Sequence, residues 1–115
     1  MQKLLITTCL VMLHASPVWA ADMPPLASQY GCTACHDLDK IKDAPSWMEI
    51  SKHYRGIDKF TFENREYALE DGLVEKVSKG GSGNWGYMPM PPNDPDRLHQ
   101  SDMRELVKFI LQLAR

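Results

Sequence analysis

Cys32-Thr33-Ala34-Cys35-His36 reads as C-x-x-C-H, the attachment pattern of a c-type haem. Two thiols separated by two residues, on a turn or short helix, can each add to one of the two vinyl groups along a haem edge. The histidine that follows directly is then carried beneath the iron, where an imidazole nitrogen can serve as an axial ligand. Two other readings stay open at this point. A thiol redox C-x-x-C has no need of the histidine and is expected beside a βαβ pattern. A zinc site needs a second pair of ligands, and no cysteine follows Cys35.

Working outward toward the N-terminus, Lys3 precedes a mostly apolar run from Leu4 to Leu13, and Val18-Trp19-Ala20 ends on a small residue of the kind a signal peptidase reads. Residues 1–20 are therefore expected to be a secretory signal peptide, cleaved after Ala20, with a retained anchor as the alternative. The run is too short and too poorly flanked for a confident membrane span. Residues 21–115 then form one small domain. Cys9 leaves with the signal, so Cys32 and Cys35 remain, and a disulfide across so short a loop stabilises little. A covalent haem would instead give a thin core a large apolar body to pack around. The chain carries 13 Lys+Arg against 15 Asp+Glu. That mild acidity argues against a nucleic-acid surface.

The rest of the chain reads as helices between punctuated loops. Pro24-Pro25 opens a short helical stretch to Tyr30. A second helix is expected from Pro45 to Tyr54, ended by Gly56, with Pro45 as a first-turn proline. Residues 57–66 are ambiguous, a loop with a helical turn. Tyr67 to Lys79 is a stronger helix, with Leu69, Leu73, Val74 and Val77 on one side and Gly80-Gly81 as its stop. A last helix is expected from an N-cap at Ser101 to about Ala114, with Met103, Leu106, Val107, Ile110 and Leu113 as its apolar stripe. No strand of useful length and no internal repeat is expected. The class is all-α, about four helices. His53 and His99 have no ligand-type partner at a useful spacing and read as surface or satisfied side chains.

The loop Gly80-Gly81-Ser82-Gly83-Asn84-Trp85-Gly86-Tyr87-Met88-Pro89-Met90-Pro91-Pro92-Asn93 is the second informative stretch. It is too rich in Trp, Tyr and Met for a solvated tether. A haem held by histidine needs a ligand on its other face, and methionine sulfur stabilises the ferrous state and raises the potential. Met88 and Met90 both offer themselves. Met90 is favoured because Pro89 and Pro91-Pro92 hold its backbone still. Met88 then packs at the haem edge or in the core.

Together, the C-x-x-C-H run, Pro45, the Gly80–Gly86 segment, Met90-Pro91-Pro92-Asn93 and a C-terminal helix resemble the small class I bacterial cytochromes c of the c-551/c-552 type. The resemblance covers nearly all of residues 21–115. It implies a small cytochrome c fold around one covalently bound haem c, and diffusible electron transfer in the periplasm rather than catalysis. It implies thioether bonds to Cys32 and Cys35, with His36 and Met90 as axial ligands. It further implies a Pro45 carbonyl that accepts from the ligand histidine, a Trp85 indole that donates to a haem propionate, and an Asn93 amide near the ligand sulfur. Lys76 falls where the family often has a basic residue near a propionate.

Three stretches depart from the family pattern. Asp43-Ala44 stands before Pro45, where Val-Gly is usual. Met88 replaces a branched aliphatic. Residues 56–69 are longer than usual and rich in charge and aromatics. The expected partners are transient redox proteins: a periplasmic dehydrogenase or quinol-oxidising complex as donor, and a terminal oxidase or reductase as acceptor. A monomer is expected. The alternatives are a cytochrome subunit of a larger periplasmic oxidoreductase, which the extra stretch would serve, or a haem sensor or peroxidase, which would need Met90 to leave the iron.

Overall fold

The structure, a computed structural model, describes residues 22–86 and 88–115. The expected signal peptide lies outside them. Four helices carry the fold: α1 (Pro25–Gln29), α2 (Trp47–His53), α3 (Leu69–Lys79) and α4 (Gln100–Gln112), with a 3₁₀ turn at Cys32–Ala34. Among the described residues, no helix is long and apolar enough to cross a membrane.

The α4 helix is the hub and packs against α1, α2 and α3. Its buried residues are Met103, Leu106, Val107, Ile110 and Leu111, a stripe at i, i+3, i+4 and i+7 that matches one face of a 3.6-residue period. Leu111 takes the place expected for Leu113, which is only half-buried at the C-cap. The α3 helix buries Leu73 and Val74, while Leu69 and Val77 pack at the margin of the core.

The helix starts differ from expectation. Pro45 precedes α2 rather than opening it. Ser46 is the N-cap, and it forms a capping box with Glu49. The Ser46 hydroxyl accepts from the Glu49 amide at 3.1 Å, and the Ser46 amide donates to the Glu49 carboxylate at 3.1 Å. Two of the orphan amides at the helix start are thereby satisfied. Ser46→Ala is expected to destabilise the protein by about 1–2 kcal/mol, read as a lower denaturation midpoint with an unchanged m-value.

Ser101 lies inside α4 and makes no cap; His99 is the N-cap residue. The group that orders this end is Asp94, which is 3% exposed. Its carboxylate accepts from the amides of Leu98 and His99 and from the Gln100 side chain, the last at 2.6 Å. Burial alone would raise the Asp94 carboxyl, but the donors from Gln100, His99 and Leu98 outweigh it and hold the pKa below the usual carboxylate value. A depressed folded-state pKa contributes stability above the unfolded value of about 4, and that stability is lost as pH falls through the folded value. Asp94→Asn is therefore expected to flatten the acid limb of the stability–pH profile below about pH 4, measured by denaturation at stepped pH.

The main correction lies in residues 57–68. Instead of a loop with a helical turn, Lys59–Phe62 and Arg65–Ala68 form an antiparallel hairpin, β1 and β2, with Phe60 opposite Tyr67 and Phe62 opposite Arg65. Tyr67 and Ala68 thus belong to β2, and α3 begins at Leu69. The turn residues Glu63 and Asn64 have φ of 50° and 62°, the signature of a two-residue type I′ turn. Along β1 the burial alternates, with Phe60 and Phe62 inward. Phe60 rests on α3 at Gly72, where a Cβ would lie 2.8 Å from the Phe60 ring. A helix-interior glycine costs about 1 kcal/mol relative to alanine, and here it lets the hairpin sit directly on the helix.

Candidate haem site

The helices enclose a cavity of about 390 Å³, within the size range of cofactor pockets. Its inner wall is apolar: Trp47, Ile50 and Tyr54 from α2, Leu73 from α3, and Leu106 and Ile110 from α4. Cys32, Cys35, His36 and Met90 all line this same cavity, as do Pro45, Lys76, Trp85 and Asn93.

The thiol end is built locally. Gly31 turns the chain at φ +74° into the 3₁₀ turn, and the His36 amide closes back on the Cys32 carbonyl at 2.9 Å. Cys32 and Cys35 are both free thiols. Burial pushes the Cys32 thiol up, so it stays protonated and inert until it is used.

The imidazole is oriented from nine residues away. His36 Nδ1 donates to the Pro45 carbonyl at 2.7 Å. A carbonyl can only accept, so the proton sits on Nδ1, and Nε2 keeps its lone pair as a ligand. Burial pushes the His36 pKa down, the bond to Pro45 acting against it. The carbonyl is held in place because residues 37–44 loop back on their own ends. The Ala44 amide bonds the Cys35 carbonyl, and the Trp47 amide bonds the Asp37 carbonyl. Pro45 thus contributes its carbonyl rather than a helical turn.

The methionine end is built by long-range contacts. Gly81 and Met90 form an isolated antiparallel bridge. The Gly81 amide bonds the Met90 carbonyl at 2.8 Å, and the Met90 amide bonds the Gly81 carbonyl at 2.9 Å. Beyond it, the Asn93 backbone amide and side-chain Nδ2 both donate to the Val77 carbonyl, and Nδ2 also reaches Pro91 O at 3.2 Å. Asn93 therefore fastens the methionine segment to the end of α3. Met88 lines the cavity mouth but is 67% exposed, whereas Met90 is half-buried.

Trp85 is half-buried, and the exposed His53 ring meets it edge-on with centroids 4.9 Å apart. His53 thus shields the loop tryptophan at the surface. Burial raises the Tyr54 phenol, the neighbouring Trp85 indole acting against it. The Lys76 ammonium donates to the Gly81 carbonyl at 2.6 Å, and burial pushes its pKa down.

Sequence reading missed Tyr30 and Tyr54 as wall residues. The Tyr30 hydroxyl donates to Asp102 at 2.6 Å, tying the segment before the thiols to the first turn of α4. That hydrogen bond pushes the phenol up to about 12. The aromatic character of both residues was the available signal, but nothing local says which cavity an aromatic will line.

The donor set fits a covalently held haem. Two reduced thiols precede a histidine with one nitrogen committed and one free, and a thioether shares an apolar cavity with them. The family model for cytochrome c matches residues 25–114. A cytochrome c-551 of Allochromatium vinosum is 39% identical over 101 residues, 88% of this chain and 95% of that protein. A cytochrome c-552 of Hydrogenobacter thermophilus is 39% identical over 88 residues, 76% of this chain and 78% of that protein. The crystal structure of Nitrosomonas europaea cytochrome c552 superposes with a TM-score of 0.62 at 31% identity, covering 76% of this chain and 95% of its own. Motif, cavity and likeness converge: the chain belongs to the cytochrome c family, as a class I electron carrier of the c-551/c-552 type.

Proposed function

We propose that this chain is a periplasmic one-electron carrier whose haem c is bound through Cys32 and Cys35 and ligated by His36 and Met90. The observation that carries this reading is the 2.7 Å bond from His36 Nδ1 to the Pro45 carbonyl, because it leaves Nε2 free in the cavity that Met90 also lines. When bound, haem c supplies a one-electron iron couple. The residues do the rest. His36 Nε2 and the Met90 thioether would hold the iron between them, which would disfavour substrate chemistry at the metal. Pro45 makes His36 a more basic and better-oriented ligand. The apolar wall from α2, α3 and α4 excludes water, which favours a high potential.

Residues 1–20 direct export, and the domain of residues 21–115 acts as a monomer. Partners dock briefly over the cavity mouth through a small, partly wet interface: a dehydrogenase or quinol-oxidising complex on one side, a terminal oxidase or reductase on the other. The hairpin supports the carrier reading over the subunit reading, since Phe60 and Phe62 are buried on α3 instead of being presented to a partner.

The test is the visible spectrum of the protein after export in a host that matures c-type cytochromes. Sharp low-spin reduced bands and the weak far-red band of ferric iron on thioether sulfur are expected. A high-spin spectrum, or no far-red band, would move the assignment to a sensor or peroxidase.

A further inference from the structure

The glycine-rich Met90 loop is closed, among the described residues, by the isolated Gly81–Met90 bridge, with Asn93 fastening the chain beyond it to α3. Between Gly81 and Met90 the chain carries glycines at φ +110° (Gly83) and +92° (Gly86), and Gly81 itself sits at +106°. Such a loop has much conformational freedom to lose on closing. One of the bridge's two hydrogen bonds ends on the Gly81 carbonyl, and that oxygen has two donors: the Met90 amide at 2.9 Å and the Lys76 ammonium at 2.6 Å.

The other cations of this region are occupied by carboxylates. Arg97 pairs with Glu75 at 2.6 Å, and Lys79 bridges Glu75 and Glu63. Among the described residues Lys76 has no such ion pair, and its hydrogen bonds run to the backbone of Gly81 and, at 3.5 Å, Gly80. Behind it stands the hairpin, with the Phe62 ring 6.0 Å from the ammonium. Phe62 therefore limits where the side chain can go and lowers the dielectric around its hydrogen bonds.

We propose that Lys76, backed by Phe62 of the hairpin, is a positioning residue for Met90, holding the Gly81 carbonyl at the hinge of the methionine loop. The carbonyl oxygen has two lone pairs, so the ammonium and the Met90 amide bind it together, and the charge-assisted bond from Lys76 fixes where that oxygen lies. Lys76 is anchored on α3, so the hinge is fixed to the helical frame. The extra stretch of residues 56–69 thereby acquires a role inside the protein. This inference rests on Met90 being the iron ligand.

The experiment compares wild type, Lys76→Leu, Lys76→Arg and Ser46→Ala as haem-loaded proteins. Amide hydrogen exchange is read at Gly81 and Met90 against amides of α4, together with carbon monoxide uptake by the ferrous form at neutral pH. Lys76→Leu is expected to speed exchange at Gly81 and Met90 by roughly five- to tenfold, with a matching rise in carbon monoxide uptake. Lys76→Arg should restore most of both. Ser46→Ala, destabilising but remote from the loop, should leave both local readouts as in wild type. Unchanged exchange in Lys76→Leu would overturn the proposal, and so would an equal loss in Ser46→Ala. A change of potential alone, with exchange and uptake unmoved, would overturn it in favour of a propionate contact. Should wild type itself lack the thioether band, the ligation reading fails separately, and exchange at Gly81 and Met90 still decides the role of Lys76.

Discussion

Met90→Ala is expected to abolish the far-red band of the ferric protein and to lower the reduction potential by roughly 0.1–0.3 V, a fraction of the ~0.8 V that axial ligands can span. The sign follows from the ligand. Thioether sulfur favours the ferrous state, so its loss favours the ferric one. The same variant should take up carbon monoxide promptly when reduced, because an axial position is freed. Met88→Ala should do none of this. The two methionines are two residues apart and line one cavity, but only Met90 has both backbone groups bonded to Gly81, while Met88 is largely exposed. A potentiometric titration with spectra of both variants separates them. A band that survives in Met90→Ala and vanishes in Met88→Ala would assign the ligand to Met88.

Gly80→Ala is expected to be the most damaging single methyl group in the loop, costing about 3–5 kcal/mol of stability, a large share of what a domain this small possesses. Gly80 has φ +71° and ψ −153°, a region that is essentially closed to residues with a side chain. A Cβ there would also run into the Met90 carbonyl oxygen and come within 2.8 Å of Pro91 C and Pro92 N. Every obstacle is backbone, so no rotamer change relieves the overlap. The Met90 segment would have to move off the end of α3, and the far-red band should weaken at lower temperature than in wild type. Gly83→Ala provides the control. At φ +110° it has nothing within 4 Å of the added Cβ, so it carries backbone strain alone, about 1–2 kcal/mol. Chemical denaturation of the two variants should show that gap. Equal midpoints would mean that the close approach at Gly80 is not what holds the loop.

The hairpin shows where reading the chain by pattern reaches its limit. Phe60 and Phe62 alternate at period two, yet each strand has only four residues. The turn is Glu63-Asn64 rather than the Asn-Gly pair that usually announces a type I′ turn. So short a signal sits below the helical one that follows it in α3. The start of α4 was misplaced for a related reason. Ser101 has the right chemistry for a cap, but Asp94, several residues upstream, already binds the amides at Leu98 and His99. A folded-back carboxylate is invisible to a rule that inspects only the residue before the helix.

What the sequence determined by itself is the chemistry held in contiguous residues. The Cys32–His36 run fixes two thiols and an imidazole at a set spacing, the prolines around Met90 restrict its backbone, and the 3.6-residue stripes place α3 and α4. What only the tertiary structure decided is how those groups are aimed: which His36 nitrogen carries the proton, how Met90 is closed onto Gly81, and where Lys76 points. Each of these depends on a hydrogen bond whose partner is brought near by the packing of α2, α3 and the loops between them. Short-range sequence sets backbone preference and ligand type, but the direction of a lone pair is set by whatever the rest of the chain folds against it.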